Sequence, residues 1–354
     1  MASPLPAFLI AYSDSSFTNP HEVVLADEPK DCRGDFTHMG AKYWGVESRR
    51  HKATTVLQDE QALAYDHDAH NWFLIGLQQR AEIHTLTIST KWYTGNQVRA
   101  VSVYLKDETT GQNKQVLNRA PLTPDSEHSF TIASTPATEC LVECYCEGGI
   151  ARVNLFGTPL GKTPERINLL EGASISHVSN IHYGDPARAV AGNRKEMHMF
   201  GWESARTGFG EQALFHLKKS ARLEEIVVDT YLHRLNAPLT CHVFSLQALD
   251  SQIEGLLRLV PRWKVIFSNG QEVIPDNFQT YMLEQKYLGE KNFKIKLHLP
   301  SGSPWKAVLP FAALTPDTFH RFRDLKDCGQ VTHILYMHYP NGGIHGLKVF
   351  GVES

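Results

Sequence analysis

The chain has 354 residues and a formal net charge of −3, with 21% charged and 42% hydrophobic residues, ordinary proportions for a soluble globular protein. This balance provides no concentrated basic face for nucleic acid and nothing to draw the chain to an anionic membrane. No apolar run approaches the ~20 residues of a spanning helix, and at roughly 150 residues per domain the length suits about two domains with separate cores.

Leu5 to Ala11 is too short an apolar run, and lacks the basic flank, for a secretory signal, so a cytoplasmic protein is expected. Ser13 to Pro20 is echoed by Ser179 to Pro186. The segment Tyr43-Trp44-Gly45-Val46-Glu47-Ser48-Arg49-Arg50 is echoed by Met199-Phe200-Gly201-Trp202-Glu203-Ser204-Ala205-Arg206. A repeat of this size means two copies of one domain. Between Arg50 and Trp72 the first copy has an insertion, which holds Asp66-His67-Asp68-Ala69-His70. That run has ligand types that suit zinc or a harder ion, and equally reads as a solvated loop. No metal ligand set is assigned from sequence, and no cofactor is called for.

Trp72 to Leu77 then matches Gln212 to Leu217, and the strand-like run Ala81 to Asn96 matches Ala221 to Asn236. Alternation of period two recurs at Leu86 and Ile88, at Val101, Val103 and Leu105, and at Phe293, Ile295, Leu297 and Leu299, the signature of half-buried strands. Cys140, Cys144 and Cys146 lie in one such stretch; with Cys32, Cys241 and Cys328 they form no C-x-x-C pair and read as small buried apolar residues. Each half closes on a related strand, Gly148 to Gly157 and Gly342 to Gly351. Pro159, Gly161 and Pro164 break the pattern between them, which sets domains at 1–162 and 163–354. A second insertion falls at about 246–322. Leu246, Leu249, Ile253 and Leu256 have helical spacing, and Thr315-Pro316-Asp317 reads as the cap of a further helix through Phe319, Phe322 and Leu325. The fold expected is all-β, a sandwich in each half, with a small helical insertion in the second.

The paired Gly-x-Glu-Ser-x-Arg segments, the strand ends Gly95-Asn96 and Leu235-Asn236, and the closing Gly-Gly-Ile strands together resemble the allantoicase family over Tyr12 to Gly351. The resemblance implies two tandem jelly-roll (galactose-binding-like) sandwiches related by pseudo-symmetry, and hydrolysis of allantoate to ureidoglycolate and urea. It also exposes departures. The family motif reads Asp-Gly-Trp-Glu-Thr/Ser-Arg/Lys-Arg, whereas Trp44 and Phe200 occupy the Asp position here, Val46 replaces the Trp, and Ala205 removes a basic residue. Leu235 replaces a Gly, and His345 stands opposite Arg152. Trp and Phe neither accept a proton nor ligate a metal.

Releasing urea requires protonation of a poor nitrogen leaving group and a grip on a carboxylate. A Glu of tuned pKa suits the first task and an Arg fork the second. Glu47, Arg49, Arg50, His51 and Asn96 therefore form the expected first site, and Glu203, Arg206 and Asn236 a thinner second one. Tyr43, Trp44, Phe200, Trp202, Arg152 and His345 are expected to line the substrate, with His38 and His198 close by in sequence. A Glu–Arg pair buried for folding explains the repeated motif as well, and rings that fill core space explain Trp44 and Phe200 as well as a wider, more apolar pocket does. Three functions follow: a hydrolase or lyase of the C–N bond of allantoate or a related ureido or amidine compound; the same scaffold repurposed as a biosynthetic cyclase, isomerase or lyase for a larger apolar molecule; or a non-catalytic ligand-binding sandwich. The expected partner is a small molecule, with a homo-oligomer allowed.

Overall fold

A computed structural model describes residues 3–15, 18–37, 40–66, 68–145, 147–161, 167–191, 194, 201–281 and 292–354. His38, His67, Cys146, His198, Met199 and Phe200 lie outside them. The chain forms two compact units, Met1–Glu165 and Arg166–Ser354. Among the described residues no helix is long and apolar enough to cross a membrane.

In the first unit a six-stranded antiparallel sheet is organised by two long strands, Asn71–Ser89 and Glu127–Tyr145. Asn71–Ser89 changes partner midway. Its first half pairs with Ala7–Tyr12 and its second with Arg152–Pro159, while Glu127–Tyr145 runs along both halves. The change is written in the side chains. Phe73, Ile75 and Leu77, then Ala81 and Ile83, then Leu86 and Ile88 are buried, so the inward parity switches between Ile83 and Leu86. The register of both flanking pairings shifts around Ile83, and a bulge of this kind bends a strand so that it can serve two faces of one sandwich. Val101, Val103 and Leu105 of the neighbouring strand Ala100–Asp107 complete the core, together with Cys140 and Cys144. Burial pushes both thiols up to about 12, which leaves them inert.

The second unit repeats the plan with the 19-residue strand Glu211–Asp229, which pairs with Ser174–Val178, Val331–Tyr339, Phe319–Phe322 and Gly346–Glu353. Its additions are the helix Asp250–Leu257 and a three-stranded sheet of Arg262–Phe267, Glu272–Val273 and Phe293–His298. Ile253, Leu256, Ile295 and Leu297 pack with Trp263, Val265 and Phe267 in a core cluster of their own.

Two sequence expectations are corrected. The runs Ala81 to Asn96 and Ala221 to Asn236 are strand only to Ser89 and Asp229; beyond them Trp92 (φ 71°) and Leu232 (φ 65°) turn the chain in the left-handed region. Thr315-Pro316-Asp317 starts no helix. Asp317 has a φ of 53°, its carboxylate accepts the distant Leu232 N–H at 2.8 Å, and Phe319–Phe322 is a strand against Ile226–Asp229. Thr123-Pro124-Asp125 makes the same turn in the first unit, where Asp125 accepts the Trp92 N–H at 2.8 Å. A left-handed residue cannot occupy a helical first turn, so tertiary capping decides against the local signal.

Candidate active site

The repeated motif first does structural work. In both units its serine clamps the closing strand: Ser48 N–H donates to Gly148 O at 3.1 Å, and Gly148 N–H returns to Ser48 Oγ at 3.1 Å. Ser204 and Gly342 exchange the same two bonds at 3.0 and 3.2 Å. Gly45 sits at a φ of 92° against the backbone of Ile150 and Ala151, where a Cβ would collide. These contacts set Val46–Glu47 beside Gly149–Ile150, and Trp202–Glu203 beside Gly343–Ile344.

The glutamates then meet asparagine, not arginine. Asn96 Nδ2 donates to Glu47 Oε1 at 2.8 Å, and Asn236 Nδ2 donates to Glu203 Oε1 at 2.9 Å. Among the described residues no buried Glu–Arg ion pair therefore underlies the motif: Arg50 acts on Glu47 through its charge, and Arg206 is exposed. Glu47 is buried, and its Oε2 has no hydrogen-bond partner among the described residues. Burial raises its pKa above the usual carboxylate range, against the opposing effects of the Asn96 bond and the Arg50 charge.

Around Glu47 lies a pocket of about 490 Å³. Ser48, Arg50, His51, Asn96 and Gln97 line it beside the motif. Thr54 and Tyr65 line it from the hairpin Thr54–Leu57/Ala62–Tyr65, which lies within the first insertion. Arg99, Arg119, Tyr145 and Glu147 complete the wall. Arg119 stacks over Tyr145 at 4.2 Å and pairs with Asp68 at 2.8 Å. The left-handed His51 (φ 64°) anchors its N–H on the Glu147 carboxylate.

The other expected residues lie elsewhere. Arg49 pairs with Asp14 at 3.1 Å. Trp44 is buried with Tyr93 and Ala151, and Tyr43 stacks on Tyr93 at 5.0 Å, so these rings fill core rather than widen the pocket. Trp202 is fully buried, with its Nε1–H on Asn180 O at 2.8 Å. Arg152 is buried between Glu28 (3.0 Å) and Glu127 (3.1 Å), and His345 is buried edge-on to Tyr231 at 4.9 Å. In the 66–70 run, Asp68 holds Arg119 and His70 Nε2 approaches Glu143 at 3.5 Å.

Sequence reasoning missed Arg99, Arg119, Tyr145 and Glu147. Neither arginine belongs to a repeated motif: Arg119 reaches the pocket on the strand Gln112–Pro121, and Arg99 from the segment just before Ala100–Asp107. In the second unit His233 takes the place of Tyr93 under the closing glycine, and its Nδ1 lies 3.3 Å from Asn236 Oδ1. Burial lowers the His233 pKa, partly offset by Glu203. A separate depression of about 720 Å³ in this unit is lined by Ser179, Asn180, Asp185 and Ala205, and by neither Glu203 nor Asn236.

The family model of the allantoicase repeat matches residues 2–160 and again 166–354. The probable allantoicase of Rhizobium meliloti (strain 1021) is 26% identical over 360 residues, covering 96% of this chain and 89% of the relative. That of Pseudomonas aeruginosa (strain LESB58) is 25% identical over 362 residues, covering 97% and 92%. The allantoicase structure from Saccharomyces cerevisiae aligns over 99% of this chain and 92% of its own, at 21% identity and a TM-score of 0.35. With one repeat matched in each unit, the chain belongs to the allantoicase family.

Proposed function

We propose that the chain is a divergent hydrolase or lyase of the allantoicase type that cleaves a C–N bond of allantoate, or of a related ureido or amidine carboxylate, in the pocket of the first unit. The observation that carries this reading is the buried Glu47 carboxyl, one oxygen held by Asn96 and the other without a hydrogen-bond partner among the described residues, at a pocket with Arg50, Arg99 and Arg119. Cationic forks suit the substrate carboxylate. A carboxyl whose pKa is raised by burial suits proton transfer. Glu47 takes a proton from the attacking water and delivers it to the leaving urea nitrogen; the water oxygen bonds the central carbon as the C–N bond breaks, which yields ureidoglycolate and urea. Trp44 stands where the family has Asp, and its ring packs away with Tyr93, so the reaction here rests on Glu47. The polar wall does not favour a larger apolar substrate. A cytoplasmic location goes with this reading, since Cys32, Cys140, Cys144, Cys241 and Cys328 are all free thiols.

Purified protein mixed with allantoate should release urea, and Glu47→Gln should abolish most of that rate. Absence of urea above background, or a rate untouched by the substitution, overturns the proposal; tight binding of allantoate without turnover would make the first unit a ligand-binding sandwich instead.

A further inference from the structure

Outside the pocket, the second unit gathers three metal-ligand types that lie far apart in the chain. His216 on Glu211–Asp229 is the register partner of His333 on Val331–Tyr339, and their rings stack at 4.5 Å and 9°. Asp250, the first residue of the helix Asp250–Leu257, lies 3.1 Å from His216 Nε2 through Oδ1. One ligand atom of each residue falls within 4.8 Å of the other two.

Thr332 offers His333 a hydrogen bond suited to a ligating tautomer. Thr332 Oγ1 has one proton, and it serves the carbonyl of Leu246 (3.2 Å) or Ala248 (3.0 Å). The Ala248 N–H already donates to the same oxygen at 3.0 Å. With that proton on a carbonyl, His333 Nδ1–H donates to Thr332 Oγ1 at 2.9 Å, the tautomer that keeps the Nε2 lone pair for a ligand. A ring N–H anchored on an oxygen is the outer-shell arrangement that orients a ligating histidine.

The arrangement is not demanded by the fold. In the first unit the corresponding strand pair sets Gly76 opposite Glu139. Stacked imidazoles with an acidic residue across them are an addition of the second unit, made together with its inserted helix.

We propose that His216, His333 and Asp250 bind one divalent transition-metal ion of the zinc class, with solvent at the open position, and that the ion staples the inserted helix to the sheet. A two-nitrogen, one-carboxylate set with Zn–N and Zn–O of roughly 2.0–2.2 Å matches the close approach of His216 to Asp250.

The test uses the full chain stripped with chelator and titrated with Co²⁺, read by visible absorption, and with Zn²⁺, read by calorimetry. One equivalent should bind, and saturating Zn²⁺ should raise the thermal midpoint by several degrees. His216→Ala, at a partly exposed position, should weaken binding at least ~100-fold and cancel the thermal shift. Thr332→Val should weaken binding by about 10–100-fold. His84→Ala, an exposed histidine of the first unit, should change nothing. Failure of the wild type to bind at micromolar metal, or binding unaltered by His216→Ala in a protein of native circular dichroism, would overturn the site.

Discussion

The two glutamates of the repeat, Glu47 and Glu203, share one framework and differ in everything around it. Each lies next to a serine-clamped strand and accepts from an asparagine at 2.8 or 2.9 Å. Glu47 is buried at a pocket with three arginines. Glu203 is half-buried, its Arg206 points to solvent, Ala205 stands in for Arg49, and Leu235 is 98% exposed where the first unit has Gly95. Both units thus keep the Glu–Asn framework, and among the described residues the three pocket-lining arginines lie beside the first glutamate. A motif identifies such a framework; its flanks decide the chemistry.

The sharpest way to break this comparison is to remove each carboxylate in turn. Glu47→Gln should lower kcat for urea release from allantoate by about 10²–10⁴-fold, the usual range for a lost general acid–base group. Glu203→Gln should stay within about threefold of wild type. The opposite ranking would transfer the site to the second unit.

Trp44→Ala tests whether the ring belongs to core or pocket. Loss of a buried aromatic should cost about 3–5 kcal/mol in denaturant unfolding. Trp44→Phe should leave KM within about twofold; a large KM change with stability intact would return the ring to the pocket.

Asymmetry should also be visible in pH. Glu211 opens the long strand of the second unit, bonded to Ser179, and burial raises its pKa to about 7 against the hydrogen bonds of Ser179, Ser204 and Thr207. Asn71, at the matching place in the first unit, does not titrate. The folded protein holds this proton more tightly than the unfolded chain does. Stability from Glu211 is therefore full below the ordinary carboxylate pKa, falls as pH rises toward about 7, and levels off above. The loss amounts to up to about 3 kcal/mol at ~1.4 kcal/mol per unit. Urea midpoints across this range should decline in the wild type and flatten in Glu211→Gln.

Arg99→Met and Arg119→Met should each raise KM about 10–100-fold with a smaller change in kcat, the value of a charge-assisted bond of roughly 1.5–3 kcal/mol. Arg206→Ala should alter KM by less than about twofold. Equal effects at Arg119 and Arg206 would erase the contrast between the units.

Some of this was open to a reader of the sequence. Gly45, Ser48 and the Gly148-Gly149 pair announce the framework, because a close backbone approach and a two-way serine clamp admit few residues. Glu47, Arg50, His51 and Asn96 were marked by the motif and do line one pocket. Tyr43, Trp44, Arg152 and His345 carried the same polar or aromatic promise, yet packing turns them into core contacts and ion pairs. Arg99 and Arg119 gave no signal at all, since nothing local distinguishes an arginine on or beside a strand that reaches a pocket from one that reaches solvent.

By itself, the sequence determined the duplication, the all-β sandwiches and the Gly-x-Glu-Ser framework, because period-two burial and obligatory glycines are local constraints that leave a local pattern. Only the tertiary structure decided that Thr315-Pro316-Asp317 caps a distant turn rather than a helix, and that Glu47 answers to Asn96 rather than to Arg50. It also brought His216, His333 and Asp250 within 4.8 Å of one another. Those outcomes depend on which strands lie side by side, and hydrogen-bond and charge partners chosen across a sheet are set by register, which no short stretch of chain contains.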